Sequence, residues 1–357
     1  MPLTQKELKR LEELTQLFGP SGDEVIVKNY LKNKYQELGF QTIEDNLGSI
    51  VCLKKSKNVN AKKVLLLAHM DEVGFMVTKI LPNGAIMVFP LGGHNPQALL
   101  SNRVVLKTQN NDYFYGLINA LPPHLLNETN KDRITQVGDM IFDFGFTSKD
   151  DALSKGVRIG DTIVCDGPFE VLNNGKRLLS KAFDDRIGLA VGLEVLEELK
   201  DVELDFDLYV GGSVQEEVGC RGALTISHLV HPDFVIVIDC SPARDSSGDK
   251  SELGQLGEGV LIRVIDGSMM ASKELIAYQI SCLEKADVKH QYFFSYGGTD
   301  AGSIHKQFDG IKTLTFCLCA RNIHTPSTLL DADDYISLKK GLVFMLKDLS
   351  EGKSYNI

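Results

Sequence analysis

The chain has 357 residues, of which 43% are hydrophobic, and its formal net charge is −10. The length favours two domains, and the apolar content is ample for a globular interior, so a disordered chain is excluded. The negative charge argues against a nucleic acid or an anionic membrane as partner, because phosphate binding needs a basic face that no segment supplies.

Two helices and an extended segment are predicted near the amino terminus. Leucines recur at three-residue spacing between positions 8 and 17 and are followed by Gly19-Pro20, which predicts a helix with a sharp end. A second helix is predicted from about Ser21. An extended segment with a turn at residues 46–48 follows it.

Residues 73–167 differ in texture from the rest of the chain. Short β-rich pieces such as "GAIMVFPLGG" alternate there with Asn, Gly and Pro, which predicts a small β-barrel or sandwich. Long apolar strands and helices alternate before and after it. Residues 1–72 and 168–357 are therefore predicted to form one discontinuous α/β domain with a mixed sheet, interrupted by the β-rich insertion.

Four strands of this α/β part lead into side chains that can bind a metal ion. The carboxyl ends of strands in an open α/β sheet lie beside one crevice, so residues that are distant in sequence converge there. An acidic pair in the first turn of a helix can face the same crevice. The residues are His69, Asp71 and Glu72 after "VLLLA", Asp184 and Asp185 at the helix start, Glu216 and Glu217 after "DLYVGGSVQ", Asp239 in "VIVIDCS", and His324 in "RNIHTP".

Each of these residues has an ordinary explanation when it is taken alone. An aspartate at a helix start is usually a cap, two adjacent glutamates usually lie in a solvated loop, and an isolated histidine is usually hydrogen-bonded. None of these explanations predicts that carboxylates and imidazoles gather where apolar strands end. The joint pattern therefore favours a metal site.

The ligand types indicate which ions such a site would hold. Two imidazoles and three or four carboxylates, without a thiolate, suit zinc, cobalt or manganese. One ion does not need so many ligands, so two divalent ions that share a carboxylate are predicted. His69 and Asp71 lie on one side of an extended chain, so Asp71 is expected to accept the second ring N–H of His69.

Seven cysteines are scattered through the chain, most of them in apolar runs. Cys317 and Cys319 share one face of a predicted strand with no second pair nearby, so they are predicted to be core thiols and not zinc ligands. An odd number of scattered thiols is typical of a reducing compartment. With no signal region and no apolar run of membrane length, a cytoplasmic protein is predicted.

Several separated motifs resemble those of one known family. They are "HMDEVGF", "KAFDDRIG", "QEEVGCRGA", "VIVIDCS", "YGGTDAGSIH" and "RNIHTP", with "LFGPSGDE" near the start and "GLINALPPH" in the insertion. Together they resemble the M42 metallo-aminopeptidases, the group of glutamyl and tetrahedral aminopeptidases, over nearly the whole chain and in order. The resemblance implies an aminopeptidase that acts on short peptides with two divalent metal ions, zinc or cobalt first and manganese as the alternative.

The resemblance also implies a role for each site residue. Glu216 matches the catalytic base, and Asp71 matches the residue that supports a metal ligand. One residue, Asp184, matches a ligand that bridges both ions. The implied ligand sets are His69, Asp184 and Asp239 for one metal, and Asp184, Glu217 and His324 for the other.

For the insertion, the resemblance implies a PDZ-like β-barrel that mediates dimerisation. It further implies that dimers assemble into a tetrahedral dodecamer whose active sites face the interior. One departure from the family pattern lies in "GGHNPQALL", where family members often carry an aromatic residue at the position of His94.

The predicted charges suggest a hydrolytic mechanism. A water that bridges two divalent ions loses much of its proton affinity, and Glu216 would take its proton and later protonate the leaving amine. Glu216 is therefore expected not to be a tight ligand. Its neighbour Glu217 can bind metal, since adjacent side chains on an extended chain point apart.

Three other functions compete with this interpretation. A glycoside hydrolase is disfavoured, because two adjacent glutamates do not readily flank a sugar bond and the chain has no Trp. A related two-metal carboxypeptidase or a deacylase of N-acylated peptides would have the same metal core. A scaffold that keeps metals only for assembly is disfavoured by the presence of Glu216.

Overall fold

The computed structural model describes residues 3–125 and 134–352. Its strands, in chain order, are β1 (Gln41–Glu44), β2 (Ile50–Lys54), β3 (Lys62–His69), β4 (Gly74–Ile80), β5 (Ile86–Leu91), β6 (Arg103–Lys107), β7 (Tyr113–Ile118), β8 (Phe142–Asp143), β9 (Thr162–Cys165), β10 (Glu170–Leu172), β11 (Arg177–Ser180), β12 (Phe206–Ser213), β13 (Phe234–Pro242), β14 (Val260–Ile265), β15 (His290–Phe294), β16 (Lys312–Ala320) and β17 (Thr328–Asp331). Its α-helices are α1 (Gln5–Gln16), α2 (Val25–Glu37), α3 (Lys149–Ser154), α4 (Phe183–Leu199), α5 (Arg221–Val230), α6 (Lys273–Lys285), α7 (Asp300–Ile304) and α8 (Ala332–Glu351).

Eight strands form a mixed sheet in the order β1-β2-β12-β3-β13-β16-β14-β15. Strands β12, β3, β13 and β16 run parallel to one another in its centre, so their carboxyl ends meet at one edge. These strands are apolar along most of their length because helices cover both faces. Helices α1, α2, α4, α6 and α8 pack on one face, and α5 and α7 pack on the other.

The β-rich insertion forms a second body of structure. Strands β4-β5-β8-β7-β6-β9 close into an antiparallel barrel with its own apolar core, which includes Phe75, Phe142 and Ile163. A mixed α/β fold that is interrupted by a small β-barrel is therefore confirmed. A separate three-stranded sheet contains β10, β11 and β17.

The second helix begins later than the sequence predicts. Helix α2 starts at Val25 and not at about Ser21, because the intervening residues form a loop in which Gly22 has a φ of +88° and Ser21 contacts Asp71. The core location of Cys317 and Cys319 is as predicted, since both thiols are buried beside Phe293. No helix within the described residues has both the length and the apolar character that are needed to cross a bilayer.

Arg186 in α4 ties the amino-terminal segment to the sheet. Its guanidinium is fully buried and donates to the carbonyl oxygens of Met70, Leu14, Leu17 and Gly19. Burying a guanidinium is costly unless its donors are paired, and here each nitrogen has an acceptor. The segment that ends α1 is thereby held against the carboxyl end of β3.

Candidate functional site

The metal-binding side chains that the sequence predicts do converge at the carboxyl edge of the parallel strands. Five segments of the chain contribute them, because a strand ends or a helix begins at this edge. His69 is the last residue of β3, Asp184 lies in the first turn of α4, Glu216 and Glu217 lie in the loop after β12, Asp239 lies near the end of β13, and His324 lies in the loop after β16.

Two groups of potential metal ligands share one carboxylate. Ligand atoms of His69, Asp184 and Asp239 lie within 4.8 Å of one another, and those of Asp184, Glu217 and His324 do the same. The Asp184 carboxylate lies between the two imidazoles: its Oδ1 is 3.1 Å from His69 Nε2, and its Oδ2 is 3.1 Å from His324 Nε2. The geometry therefore has room for two cations with Asp184 between them.

Both imidazole rings are oriented by backbone carbonyls. His69 Nδ1 lies 3.0 Å from the carbonyl oxygen of Asp71, and His324 Nδ1 lies 2.8 Å from that of Gly93. A carbonyl oxygen can only accept, so each Nδ1 carries a proton and donates it. In the neutral ring, Nε2 is then left with the lone pair that a metal ion requires.

Asp71 acts mainly on the neighbouring loop. Its carboxylate Oδ1 is 3.5 Å from His69 Nδ1, longer than the 3.0 Å contact of that nitrogen with the Asp71 carbonyl oxygen. The same carboxylate accepts the backbone N–H groups of Glu216 and Glu217 at 3.0 and 3.1 Å. Asp71 thus connects the histidine of one strand to the glutamate pair of the next.

Glu216 lies beside the ligand groups with a partly free carboxylate. Its Oε1 accepts the Cys220 thiol at 3.3 Å, and a further ligand group combines Glu216 with His69 and Glu217. Burial raises the pKa of Glu216 well above its ordinary value, and the negative charge of Asp239 adds to this. A carboxyl group with a raised pKa is suited to taking up and returning a proton near neutral pH.

The electrostatics of the cluster favour bound positive charge. Burial lowers the pKa of His324, but Glu217 and Asp184 outweigh it and raise the pKa to about 11. For the carboxyl group of Asp239, burial has the opposite effect: it raises the pKa well above its usual range, and the negative charge of Asp184 adds to the shift. The carboxylates outnumber the imidazoles, so cations would stabilise the cluster.

The residues fit two divalent ions. The donors are imidazole nitrogens and carboxylate oxygens, which zinc, cobalt and manganese all accept. Oε1 of Glu217 is buried and makes no well-formed hydrogen bond within the described residues, and its charged neighbour is His324 Nε2 at 3.3 Å, a nitrogen of the same ligand group. A buried acceptor without a donor is costly, and a metal ion would satisfy it.

Two acidic residues that the sequence groups with the ligands have other partners. The carboxylate of Glu72 accepts two hydrogen bonds from Lys181, at 2.6 and 2.7 Å, and joins neither of the two ligand groups. The carboxylate of Asp185 accepts the backbone N–H groups of His69 and Gly188. Of the adjacent aspartates, Asp184 is the one that faces both histidines.

His94 packs as an aromatic side chain would. Its ring stacks on Phe75 with centroids 4.4 Å apart, and its Nε2 lies 2.9 Å from the carbonyl oxygen of Gly74. Burial lowers the pKa of His94 to about 4, so the ring is neutral at physiological pH. It packs beside Gly93, whose carbonyl orients His324.

An open cleft leads from solvent to the ligand groups. Besides the site residues, it is lined by the thiol-bearing residue Cys220, by the cation Arg263 and by backbone at Gly297 and Gly298. Gly93 from the barrel side contributes to the same cleft. A small extended molecule could therefore reach the carboxylates of the two candidate ligand groups from outside.

Comparison with known proteins decides the family. A family model described as M42 glutamyl aminopeptidase matches residues 48–340. The chain belongs to the M42 peptidase family. This confirms the resemblance seen in the sequence and makes the protein an enzyme of the peptidase class. The family is metal-dependent, which agrees with the clustered ligands.

Individual relatives match over most of their length. The glutamyl aminopeptidase of Lactococcus lactis subsp. cremoris is 38% identical over 345 residues, which cover 96% of this chain and 97% of that protein. The lysyl aminopeptidase of Pyrococcus furiosus is 31% identical, with 85% and 87% covered.

Solved structures of the family have the same fold. The TET aminopeptidase of a marine sediment archaeon of the Thaumarchaeota superposes with a TM-score of 0.92 at 34% identity, covering 97% of this chain and 98% of that one. The TET1 peptidase of Pyrococcus horikoshii, described as able to assemble into a tetrahedron or a large octahedral shell, has a TM-score of 0.85 at 27% identity and covers 98% and 100%.

Proposed function

We propose that the protein is a dinuclear metal-dependent aminopeptidase that removes N-terminal residues from short peptides. The observation that carries the proposal is the Asp184 carboxylate, which lies between two imidazoles and belongs to two ligand groups at once. A shared carboxylate is typical of two-metal hydrolases. Glu216 beside it supplies the acid–base group that peptide hydrolysis needs.

The ligand assignment follows from the two groups. One divalent ion would be held by His69, Asp184 and Asp239, and the other by Asp184, Glu217 and His324. Zinc and cobalt fit this nitrogen and oxygen set best, and manganese is the alternative. Asp71 supports the arrangement through the backbone of Glu216 and Glu217.

Bound metal ions would polarise the scissile carbonyl and acidify the attacking water. Glu216 takes the proton from that water at its carboxylate as the water attacks the carbonyl carbon. The tetrahedral intermediate then collapses, and the protonated Glu216 returns the proton to the leaving amine nitrogen. The carboxylate of Glu216 is regenerated, so protons balance over the cycle.

A free amino terminus is the expected requirement on the substrate. Two relatives by sequence are named glutamyl aminopeptidase and lysyl aminopeptidase, which supports an aminopeptidase over a carboxypeptidase or deacylase. We expect aminoacyl-4-nitroanilides, assayed with zinc, cobalt or manganese, to be cleaved. Their N-acetylated counterparts are expected to be cleaved at least 100-fold more slowly. The same rate for both forms, or a preference for the acetylated form, would favour a deacylase.

We propose that residues 1–72 and 168–357 form the catalytic domain and that residues 73–167 form a dimerisation domain. The exposed side of β7 supports this, since Tyr113, Tyr115 and Leu117 alternate along it and are 44%, 64% and 45% exposed. Apolar side chains aligned on a surface strand are typical of an interface. By analogy with the P. horikoshii peptidase, dimers are proposed to assemble further into a tetrahedral dodecamer.

The assembly is testable by size. Light scattering of the wild type is expected to give the mass of a dodecamer. The Tyr115→Glu variant is expected to give a smaller species, because assembly would bury an unpaired charge at the proposed interface. Val59→Glu is a matched control, since Val59 is exposed but lies in a loop outside the barrel. A fully active monomeric wild type would refute the proposed assembly.

We also propose a cytoplasmic location, which suits the seven free thiols of the protein.

A further inference from the structure

The loop of residues 18–24, which contains most of the motif "LFGPSGDE", contacts both the site and the barrel. This N-terminal loop lies between α1 and α2. It makes a parallel β-bridge from Pro20 to Glu72, just beyond the end of β3. None of its residues belongs to the two ligand groups, and nothing in the mechanism above uses it. Its contacts nevertheless reach the residues that hold the catalytic groups.

On the side of the site, two buried side chains of the loop hold the catalytic residues in place. The Ser21 hydroxyl donates to Asp71 Oδ2 at 2.6 Å, and that carboxylate in turn accepts the backbone N–H groups of Glu216 and Glu217. Glu24 Oε1 accepts the backbone N–H of Gln215 at 3.0 Å. Three consecutive residues of the glutamate loop are thus held, directly or through Asp71, by residues 21 and 24.

On the side of the barrel, Asp23 is held by two strands. Its Oδ1 accepts from Lys107 Nζ at 2.6 Å, and its Oδ2 accepts from the Thr162 hydroxyl at 2.8 Å. Lys107 also lies over the ring of Phe18, 5.6 Å from the centroid. Lys107 and Thr162 are both buried and Asp23 is only partly exposed, so salt screens this contact less than it would a surface ion pair.

We propose that the N-terminal loop positions the general base and the metal ligands, and that the barrel fixes the loop through Asp23. Ser21 and Glu24 are positioning residues that act through Asp71 and the backbone at Gln215. Lys107 and Thr162 act indirectly, because they contact Asp23 of the loop and not Asp71 or the glutamates. The barrel thereby contributes to the chemistry, beyond any role in assembly, without touching the substrate.

The physical reason is that outer hydrogen bonds orient a metal ligand and set its exact placement. Loss of such a bond commonly costs about 10- to 100-fold in metal affinity or activity. Asp71 has four contacts within this network, to Ser21, His69, Glu216 and Glu217. Removing the Ser21 hydroxyl, or the contacts of Asp23 with the barrel, would leave Asp71 and the two glutamates in the site. Their positions would then be less precisely fixed.

The inference rests on the proposed function, so its test uses a second readout in addition to turnover. Ser21→Ala, Lys107→Met and Thr162→Val would be loaded with cobalt, and the ligand-field absorption spectrum of the bound cobalt would be recorded with kcat and KM. We expect kcat to fall about 10-fold with KM unchanged within about two-fold. We also expect a changed cobalt spectrum at unchanged cobalt content.

Two controls separate positioning from general destabilisation. Thr162→Ser keeps the hydroxyl and should retain the wild-type kcat and spectrum. Val104→Ala removes volume from the barrel core on the same strand as Lys107, and should lower thermal stability while leaving kcat and spectrum unchanged. A double variant, Asp23→Asn with Lys107→Met, should lose less activity than the losses of the two single variants combined, because both remove the same ion pair.

Each outcome decides the proposal. If Lys107→Met behaves like Val104→Ala, the contact with the barrel is only structural, and the inference is wrong. If Ser21→Ala keeps both kcat and the cobalt spectrum, the loop does not position the site. A wild type that binds cobalt but cleaves no peptide would refute the proposed function, while the spectra would still test the loop. A wild type that binds no cobalt would overturn both.

Discussion

The Glu216→Gln variant is expected to keep its fold and its full metal content while kcat falls about 10²- to 10⁴-fold. The substitution preserves the shape of the side chain and its contact with Cys220, but an amide cannot take a proton from water. The loss should therefore lie in kcat, with KM little changed, because substrate binding does not depend on proton transfer.

The neighbouring Glu217→Gln variant is the matched control for this experiment. Glu217 belongs to a ligand group and contacts His324 at 3.3 Å, so its loss should reduce metal content as well as activity. Elemental analysis beside steady-state rates distinguishes the two variants. Near wild-type turnover in Glu216→Gln would mean that another residue is the base.

Asp184→Ala is expected to abolish high-affinity binding of both metal ions. Asp184 is shared by the two ligand groups, whereas Asp239 and His324 each belong to one of them. Asp239→Ala and His324→Ala should therefore each weaken mainly one ion. Metal titration into the stripped proteins, followed by calorimetry, would show two sites in the wild type, one strong site in each of these variants and none in Asp184→Ala.

A control for the loss of a buried carboxylate is Asp207→Asn. Asp207 is buried at the amino end of β12, opposite the site, where it pairs with Lys55. This variant should bind both ions normally, even if it is less stable. Equal metal loss from Asp184→Ala, Asp239→Ala and His324→Ala, or normal binding by Asp184→Ala, would contradict the bridging role.

The convergence of the ligands could be predicted from sequence because it depends on a general property of α/β sheets. Apolar runs identify the buried parallel strands, and polar residues at their carboxyl ends must then share one edge. The β-barrel could be predicted for a similar reason. Residues 73–167 contain short β-rich segments separated by turn residues, and this pattern differs from the long apolar strands of the rest of the chain.

The local sequence pattern could not show which hydrogen-bond or ion-pair partner each acidic side chain has. The adjacent residues Asp184 and Asp185 are equivalent in sequence, yet one faces the histidines and the other binds backbone N–H groups. The position of Glu72 after β3 predicts a metal ligand, but its carboxylate accepts a hydrogen bond from Lys181. Such choices depend on contacts between residues that are more than a hundred positions apart.

The contacts made by backbone carbonyls, and those made by the N-terminal loop, could not be predicted from the sequence either. The carbonyl of Gly93, which orients His324, has no side-chain signal at all. Ser21 lies 50 residues from Asp71, and Glu24 lies 191 residues from Gln215. The motif that holds these two residues could be noticed as a family resemblance, but its physical role required the three-dimensional contacts.

Anomalous X-ray diffraction from crystals grown with zinc tests the dinuclear site most directly. We expect two anomalous peaks about 3.5–4 Å apart, on either side of the Asp184 carboxylate. One peak should contact His69 and Asp239, and the other should contact Glu217 and His324. A single peak, or a second peak held by Glu216 in place of Glu217 and His324, would contradict the proposed site.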